Sequence, residues 1–224
     1  MRIIRKNEEK QLIESFIKNF KKIADKRERS KKRFSFVLTG GSSPIKLYKM
    51  LSKEKINWKN IDFFWGDERF VGKRSNFSNY NLAYKNFFKN LNISKNQIYS
   101  INTNLSSVKM SSKNYSDKIK KYFKNKKICF DLMLLGMGND GHIASIFPNN
   151  LNKKSNKITR FVIREDFQRI TINLKIINNS RNIFLWLNTR KKSKIYNLLN
   201  ENNKNSQIPV NLLNQSKTLV FSIF

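Results

Sequence analysis

Seven glycines in 224 residues restrict this chain more than any other feature. Gly40, Gly41, Gly66, Gly72, Gly136, Gly138 and Gly141 all stand at or just beyond the end of a short run rich in apolar, β-branched and aromatic residues. Glycine is needed where a backbone turns with positive φ or passes close to a ligand. The preceding runs, Phe34–Leu38, Ile61–Trp65 and Cys129–Leu135, read as strands, with further strands expected at Arg160–Ile163, Arg169–Asn173, Ile183–Leu187 and Lys217–Phe221. Between them run helical patterns. Leu12, Ile13, Phe16, Ile17, Phe20 and Ile23 form one stripe behind an expected Asn7 cap, with Glu8 and Glu9 in the first turn. Leu47, Tyr48 and Leu51 begin a second, Leu82, Phe87 and Phe88 belong to a third, and Ile195, Leu198 and Leu199 to a fourth. The wholly apolar Leu132–Leu135 implies a strand covered on both faces, hence a parallel sheet with helices on either side. The expected class is α/β, one domain over residues 1–224. In open parallel sheets ligands bind beyond the carboxyl ends of the strands, where the glycines lie.

Composition narrows the partners without choosing one. Against 46 Lys and Arg stand 15 Asp and Glu, a net charge of +31 that concentrates any anion. The lysines are dispersed and travel with Asn, Ile and Phe, as expected for a bias spread over solvated faces. No aromatic RNA-binding motif, helix-turn-helix glycine turn or zinc-finger spacing accompanies them. Cys129 stands alone, so no intrachain disulfide can form, and one Cys with one His cannot build a zinc site from those ligands. No run approaches the ~18 apolar residues of a membrane span, and Met1–Lys10 carries no apolar run of signal-peptide length. A cytoplasmic, soluble, monomeric chain is expected, without metal or cofactor and without nucleic acid or membrane as an obligate partner.

Three loops carry the candidate chemistry. In Thr39-Gly40-Gly41-Ser42-Ser43-Pro44, Ser43 is placed to cap a helix with Pro44 in its first turn. The loop reads either as a phosphate cradle at a helix start or as an ordinary strand-to-helix turn. The second loop, Gly66-Asp67-Glu68-Arg69, continues to Ser75, Asn76, Asn79 and Tyr80. Its acids suit sugar hydroxyls and its Arg69 a developing oxyanion, although a surface ion pair would look the same. The third, Gly136-Met137-Gly138-Asn139-Asp140-Gly141-His142, presents an acid and the only histidine together. Histidine suits proton transfer near neutrality, and a neighbouring carboxylate can orient it.

Together with Ser78-Asn79-Tyr80, these motifs resemble 6-phosphogluconolactonases, a family sharing a superfamily with glucosamine-6-phosphate deaminases. Order and spacing match over essentially the whole chain, including Arg169-Ile170-Thr171 and the Lys191 region. The resemblance implies a Rossmann-like, mainly parallel sheet and hydrolysis of 6-phosphoglucono-δ-lactone, a sugar phosphate, in the oxidative pentose phosphate pathway. It further implies that Gly40, Gly41, Ser42, Ser43 and Lys191 hold the phosphate. Asp67, Arg69, Asp140 and His142 would surround the ring, with Asn79 and Arg169 among the substrate contacts. The expected chemistry uses His142 as base, Asp140 to orient it and Arg69 to stabilise the oxyanion. Ile143 and Asn188 depart from the Thr and Gly usual in the family. A deaminase is the close alternative, but it carries Glu where this chain has Phe147, and Asp-Glu-Tyr in place of Asp67-Glu68-Arg69. A non-catalytic basic protein that binds sugar phosphate or nucleic acid is the alternative from another class.

Overall fold

The computed structural model describes residues 1–151, 155–188 and 207–223. Runs of bulky apolar residues form five-residue strands whose side chains are buried on both faces, as at β2 (Phe34–Leu38), β3 (Ile61–Trp65) and β8 (Ile183–Leu187). With β1 (Arg2–Lys6), β5 (Leu132–Leu135) and β9 (Thr218–Ile223) they make a six-stranded sheet, order β1-β9-β8-β5-β2-β3, every pair parallel. A smaller antiparallel sheet of β4 (Asp67–Arg69), β7 (Gln168–Ile172) and β6 (Thr159–Ile163) stands beside it. The mainly parallel α/β expectation agrees with this architecture.

The helices cover the sheets. Helix α1 (Glu9–Arg29) buries Leu12, Ile13, Phe16, Ile17 and Phe20. Phe16 meets Phe184 and Trp186 edge-on, and Phe20 does the same with Phe34 and Phe36. Short helices α2 (Ile45–Leu51), α3 (Asn79–Asn86) and α5 (Leu174–Asn179) join α4 (Val108–Tyr122), which packs on β6 and β7. Among the described residues no helix is long and apolar enough to cross a membrane.

Several local readings differ from the sequence expectations. Helix α1 begins one residue later than an Asn7 cap requires, with Glu8 at the cap and no side-chain bond. The Cys129–Leu135 strand shortens to Leu132–Leu135, because Asp131 instead bonds Ser35 at the strand entrance. Phe87 and Phe88 fall beyond α3, in a following turn. Strands β1 and β4 and helices α4 and α5 are additions. The stripe at Ile195, Leu198 and Leu199 lies outside the described residues.

Chain order sets where a crevice can open. From β2 the chain moves outward to β3, then crosses back over β2 to enter β5 on its other side. The loops leaving β2 and β5 therefore diverge at a topological switch point, the usual ligand position in such sheets. The loop leaving β3 adjoins them.

At the opposite rim, Asp131 is almost wholly buried and accepts from the Ser35 amide and hydroxyl, both at 3.0 Å. Arg27 Nε and Arg181 Nε approach its other oxygen at 3.0 and 3.2 Å as ion-pair contacts. Removing one partner from a buried charge cluster leaves uncompensated charge, typically ~3 kcal/mol or more. Asp131→Ala is expected to lower the thermal midpoint by about 6–12 °C, measured by circular dichroism, while leaving the properties of the distant crevice unchanged in the folded fraction.

Candidate active site

The three strand-end loops meet in one cleft of about 220 Å³. The Gly136 amide donates to the Thr39 hydroxyl at 3.1 Å, tying the first loop to the third across the switch point. Thr39 is itself held by the buried Tyr48 hydroxyl, which accepts from its amide at 3.0 Å and donates to its carbonyl at 2.7 Å. Gly40 has no alternative residue here: a Cβ would overlap the Asn79 side chain. Gly41 has φ +79°, a left-handed conformation suited to glycine.

Ser43 does not cap α2. Pro44 occupies the cap position without a side-chain bond, and the Ser43 hydroxyl donates to Asn188 Oδ1. Asn188 Nδ2 returns a bond to the Ser43 carbonyl at 3.0 Å and reaches Glu9 at 2.6 Å. Asn188, where the resembling family usually has Gly, thus fastens the serine turn to the end of β8 and the start of α1. Ser42 and Ser43 both line the cleft.

Asp67, Glu68 and Arg69 form β4, an all-charged strand that exists because its neighbours answer each charge. Asp67 accepts the Ser145 hydroxyl at 2.6 Å and Asn79 Nδ2 at 3.3 Å. Buried Glu68 takes four donors at 2.7–3.0 Å: the amide of Arg69 beside it and, at the start of α3, the amides of Asn79 and Tyr80 and the Ser78 hydroxyl. Burial pushes its carboxyl up to about 7, and those four donors oppose the rise. Glu68 thereby locks α3, and with it Asn79, against the cleft.

Arg69 and Arg169 are cross-strand partners on β4 and β7, and both line the cleft. Like charges in that register repel. Arg69 Nη1 donates to the Phe77 carbonyl at 2.7 Å, and Arg169 Nη2 pairs with Asp166. In both guanidinium groups Nε is buried and finds no hydrogen-bond partner among the described residues, and the same holds for Asn79 Oδ1. A buried unpaired donor costs ~1–3 kcal/mol. An anion in the cleft would quench the repulsion between the two guanidinium groups.

The third loop folds back on itself. Gly138 donates its amide to the His142 carbonyl at 2.9 Å, Gly141 turns with φ +77°, and Ile143 is fully buried between Met137 and Ile146. The Ile in place of Thr is a core contact under the loop. Ala144 is left-handed at φ +49°, a strained state of order ~1–3 kcal/mol for a side-chain-bearing residue. His142 lines the cleft and Asp140 stands behind it, Nδ1 to Oδ1 2.6 Å. A carboxylate on Nδ1 assigns the proton there and leaves the Nε2 lone pair free. Partial burial raises the Asp140 carboxyl, but the His142 charge and its hydrogen bonds outweigh that and hold it below its ordinary value.

Gly40, Gly41, Ser42, Ser43, Asp67, Arg69, Asn79, His142 and Arg169 therefore share one cleft, with Asp140 one bond away; Lys191 lies outside the described residues. Sequence reasoning passed over Thr39, Ala144 and Ser145, whose roles rest on partners distant in the chain. Among the described residues no group of three or more His, Cys, Asp or Glu is placed to hold a metal ion. A wider groove of about 960 Å³ lies at the amino-terminal rim of the sheet, lined by Arg2, Lys22, Lys26, Arg27, Arg181 and Lys217. Its one carboxylate, Asp131, is occupied by two arginines, so it assembles no acid–base pair, and chemistry selects the smaller cleft.

Glu68→Gln turns an NH2 group toward buried donors and is expected to cost ~1–3 kcal/mol, seen as a lower thermal midpoint at pH 7. The carboxyl of folded Glu68 titrates near 7 against an ordinary 4.5. Its contribution to stability is thus complete below pH 4.5 and declines as pH rises through about 7. That slope is expected to be missing from the variant.

A sequence model described as glucosamine-6-phosphate isomerases/6-phosphogluconolactonase matches residues 7–221. A probable 6-phosphogluconolactonase of Dictyostelium discoideum is 36% identical over 169 residues, 71% of this chain and 70% of that one. A 6-phosphogluconolactonase of Thermotoga maritima is 32% identical over 181 residues, covering 80% and 79%. The chain also shares its fold with crystal structures of 6-phosphogluconolactonases. The one from Thermotoga maritima has TM-score 0.85 at 24% identity, over 99% of this chain and 98% of that one. The one from Trypanosoma cruzi has TM-score 0.85 at 23% identity, over 98% and 92%. Across nearly its whole length, then, this chain belongs to the glucosamine-6-phosphate isomerase/6-phosphogluconolactonase family.

Proposed function

We propose that this chain hydrolyses 6-phospho-D-glucono-1,5-lactone to 6-phospho-D-gluconate, in the oxidative pentose phosphate pathway of the cytoplasm and as a monomer. One observation carries the reading: an imidazole with a carboxylate 2.6 Å from its Nδ1 shares a cleft with two arginines that keep unpaired Nε donors. Family membership and the names of the relatives support it.

The proposed steps use these groups in turn. The glycine–serine turn, Gly40–Ser43, receives the 6-phosphate, helped by Lys191, and supplies positioning through remote binding energy. His142 Nε2 removes a proton from water as the oxygen attacks the lactone carbonyl. Negative charge develops on the carbonyl oxygen, where Arg69 stabilises it, a role that can contribute ~3 kcal/mol or more. The tetrahedral intermediate collapses by breaking the bond from C1 to the ring oxygen. The imidazolium, steadied by Asp140, returns its proton to that leaving oxygen. Asp67, Asn79 and Arg169 contact the substrate. A δ-lactone is already an activated ester, so this route asks for neither a covalent intermediate nor a metal.

The deaminase alternative needs a proton-transferring side chain five residues after the histidine. Phe147 occupies that position, is 5% exposed and cannot serve.

Consumption of base by fresh lactone at pH ~6.5, where spontaneous opening is slower, tests the activity. Ammonia release from glucosamine 6-phosphate, run in parallel, is expected to be absent. His142→Ala is expected to lower turnover by ~10²–10⁴ while 6-phosphogluconate still binds; turnover near the parent level in that variant would remove the imidazole from the mechanism.

A further inference from the structure

The resting geometry of His142 raises a problem that its carboxylate partner does not solve. The imidazole rises from a loop with glycines at 136, 138 and 141, and its side chain is 29% exposed. Asp140 is 48% exposed, and ion pairs that open to solvent hold orientation weakly. The terminal torsion of a histidine is broad. Something else must hold the ring.

Two further contacts bear on it. Gly138 lies against the imidazole so closely that a Cβ would overlap Cε1 and Nδ1. Against the ring stands Phe147, ring centroids 4.5 Å apart with planes tilted by 41°. Phe147 is itself fixed. It is 5% exposed, and the Arg164 guanidinium lies 4.2 Å over its ring. Phe147 is absent from the residues lining the cleft, whereas His142 is among them. It reaches the cleft through the histidine and, at longer range, through Arg169, whose guanidinium lies 5.7 Å over the same ring.

We infer that Phe147 is a positioning residue: with Arg164 behind it, its ring clamps the His142 imidazole against Gly138 and keeps Nε2 turned to the cleft. The inference rests on the lactonase reading for its kinetic consequence and on geometry alone for its structural one. A paired aromatic contact biases one orientation over others by roughly two- to tenfold. The same factor should appear in turnover, because only the aimed ring can take a proton from water. Substrate binding should change less, because the Arg169 guanidinium stands farther from the Phe147 ring, 5.7 Å against 4.5 Å for the imidazole, and keeps its own bond to Asp166.

The chain has a single histidine, so its imidazole proton resonances are unique in an NMR spectrum. In the parent protein those protons are expected to show ring-current shifts and cross-relaxation with the Phe147 ring. In Phe147→Leu the shifts should relax toward those of a free imidazole, and kcat should fall about two- to tenfold with KM within twofold. Phe147→Tyr, which keeps the ring, should restore both. The parent spectrum needs no variant: imidazole protons without ring-current shift or cross-relaxation to Phe147 overturn the inference, whatever the variants' stability. So does a Phe147→Leu protein with parent kcat, or one whose loss lies in KM alone. A parent protein that leaves the lactone untouched would overturn the functional reading instead, with the NMR result still deciding the clamp.

Discussion

The His142 imidazole rests directly on the backbone of Gly138, and much of the cleft follows from that approach. A side chain at 138 would lift the ring away from Asp140 and from the cleft. The closeness requires the loop after β5 to double back, which it does through the amide of Gly138 on the carbonyl of His142 and the left-handed turn at Gly141. That fold in turn leaves Ala144 left-handed and buries Ile143 as the loop's anchor in the core. Strain at Ala144 is tolerated because Ser145, the next residue, is held by Asp67 and Thr171. The backbone at the site is thus over-determined from both ends.

Electrostatics completes the picture. The molecule places two arginines opposite one another on β4 and β7, leaves an Nε of each unpaired and buried, and surrounds them with a net charge of +31. Two guanidinium groups in that register suit a phosphorylated or oxyanionic ligand, whose charge relieves their mutual repulsion. Glu68 is the counterweight: a carboxylate bonded to the first turn of α3 that keeps the Asp67–Arg69 strand and Asn79 in register. The excess of lysine elsewhere raises the local concentration of any anion.

How much of this could be read from the sequence depended on the range of the interactions. The central strands were legible because strands buried on both faces must be apolar runs, and Ile183–Leu187 falls where expected. Strand β1 was not, since an edge strand with exposed Arg2 and Arg5 carries little pattern. Helix α4 hid because Ser111 and Ser112 occupy its buried face. Strand β4 is three charged residues, which no propensity favours; only its tertiary partners make it a strand. Within the cleft, the Asp140–His142 pair was legible because the partners stand two positions apart in the chain. The Ser43–Asn188 and Ser145–Asp67 bonds, which span 145 and 78 residues, have no local signal. Ser43 looked like a helix cap for that reason. The glycines announced tight approach without naming what approaches: Asn79 at Gly40 and the imidazole at Gly138.

The most direct measurement is a crystal structure of the chain with 6-phosphogluconate bound. The account places the phosphate on the Gly40–Ser43 turn and the C1 carboxylate within hydrogen-bonding distance of His142 Nε2, with a guanidinium from Arg69 on that carboxylate. A product molecule seated with C1 remote from the imidazole, or held instead in the basic groove at the amino-terminal rim, would contradict it.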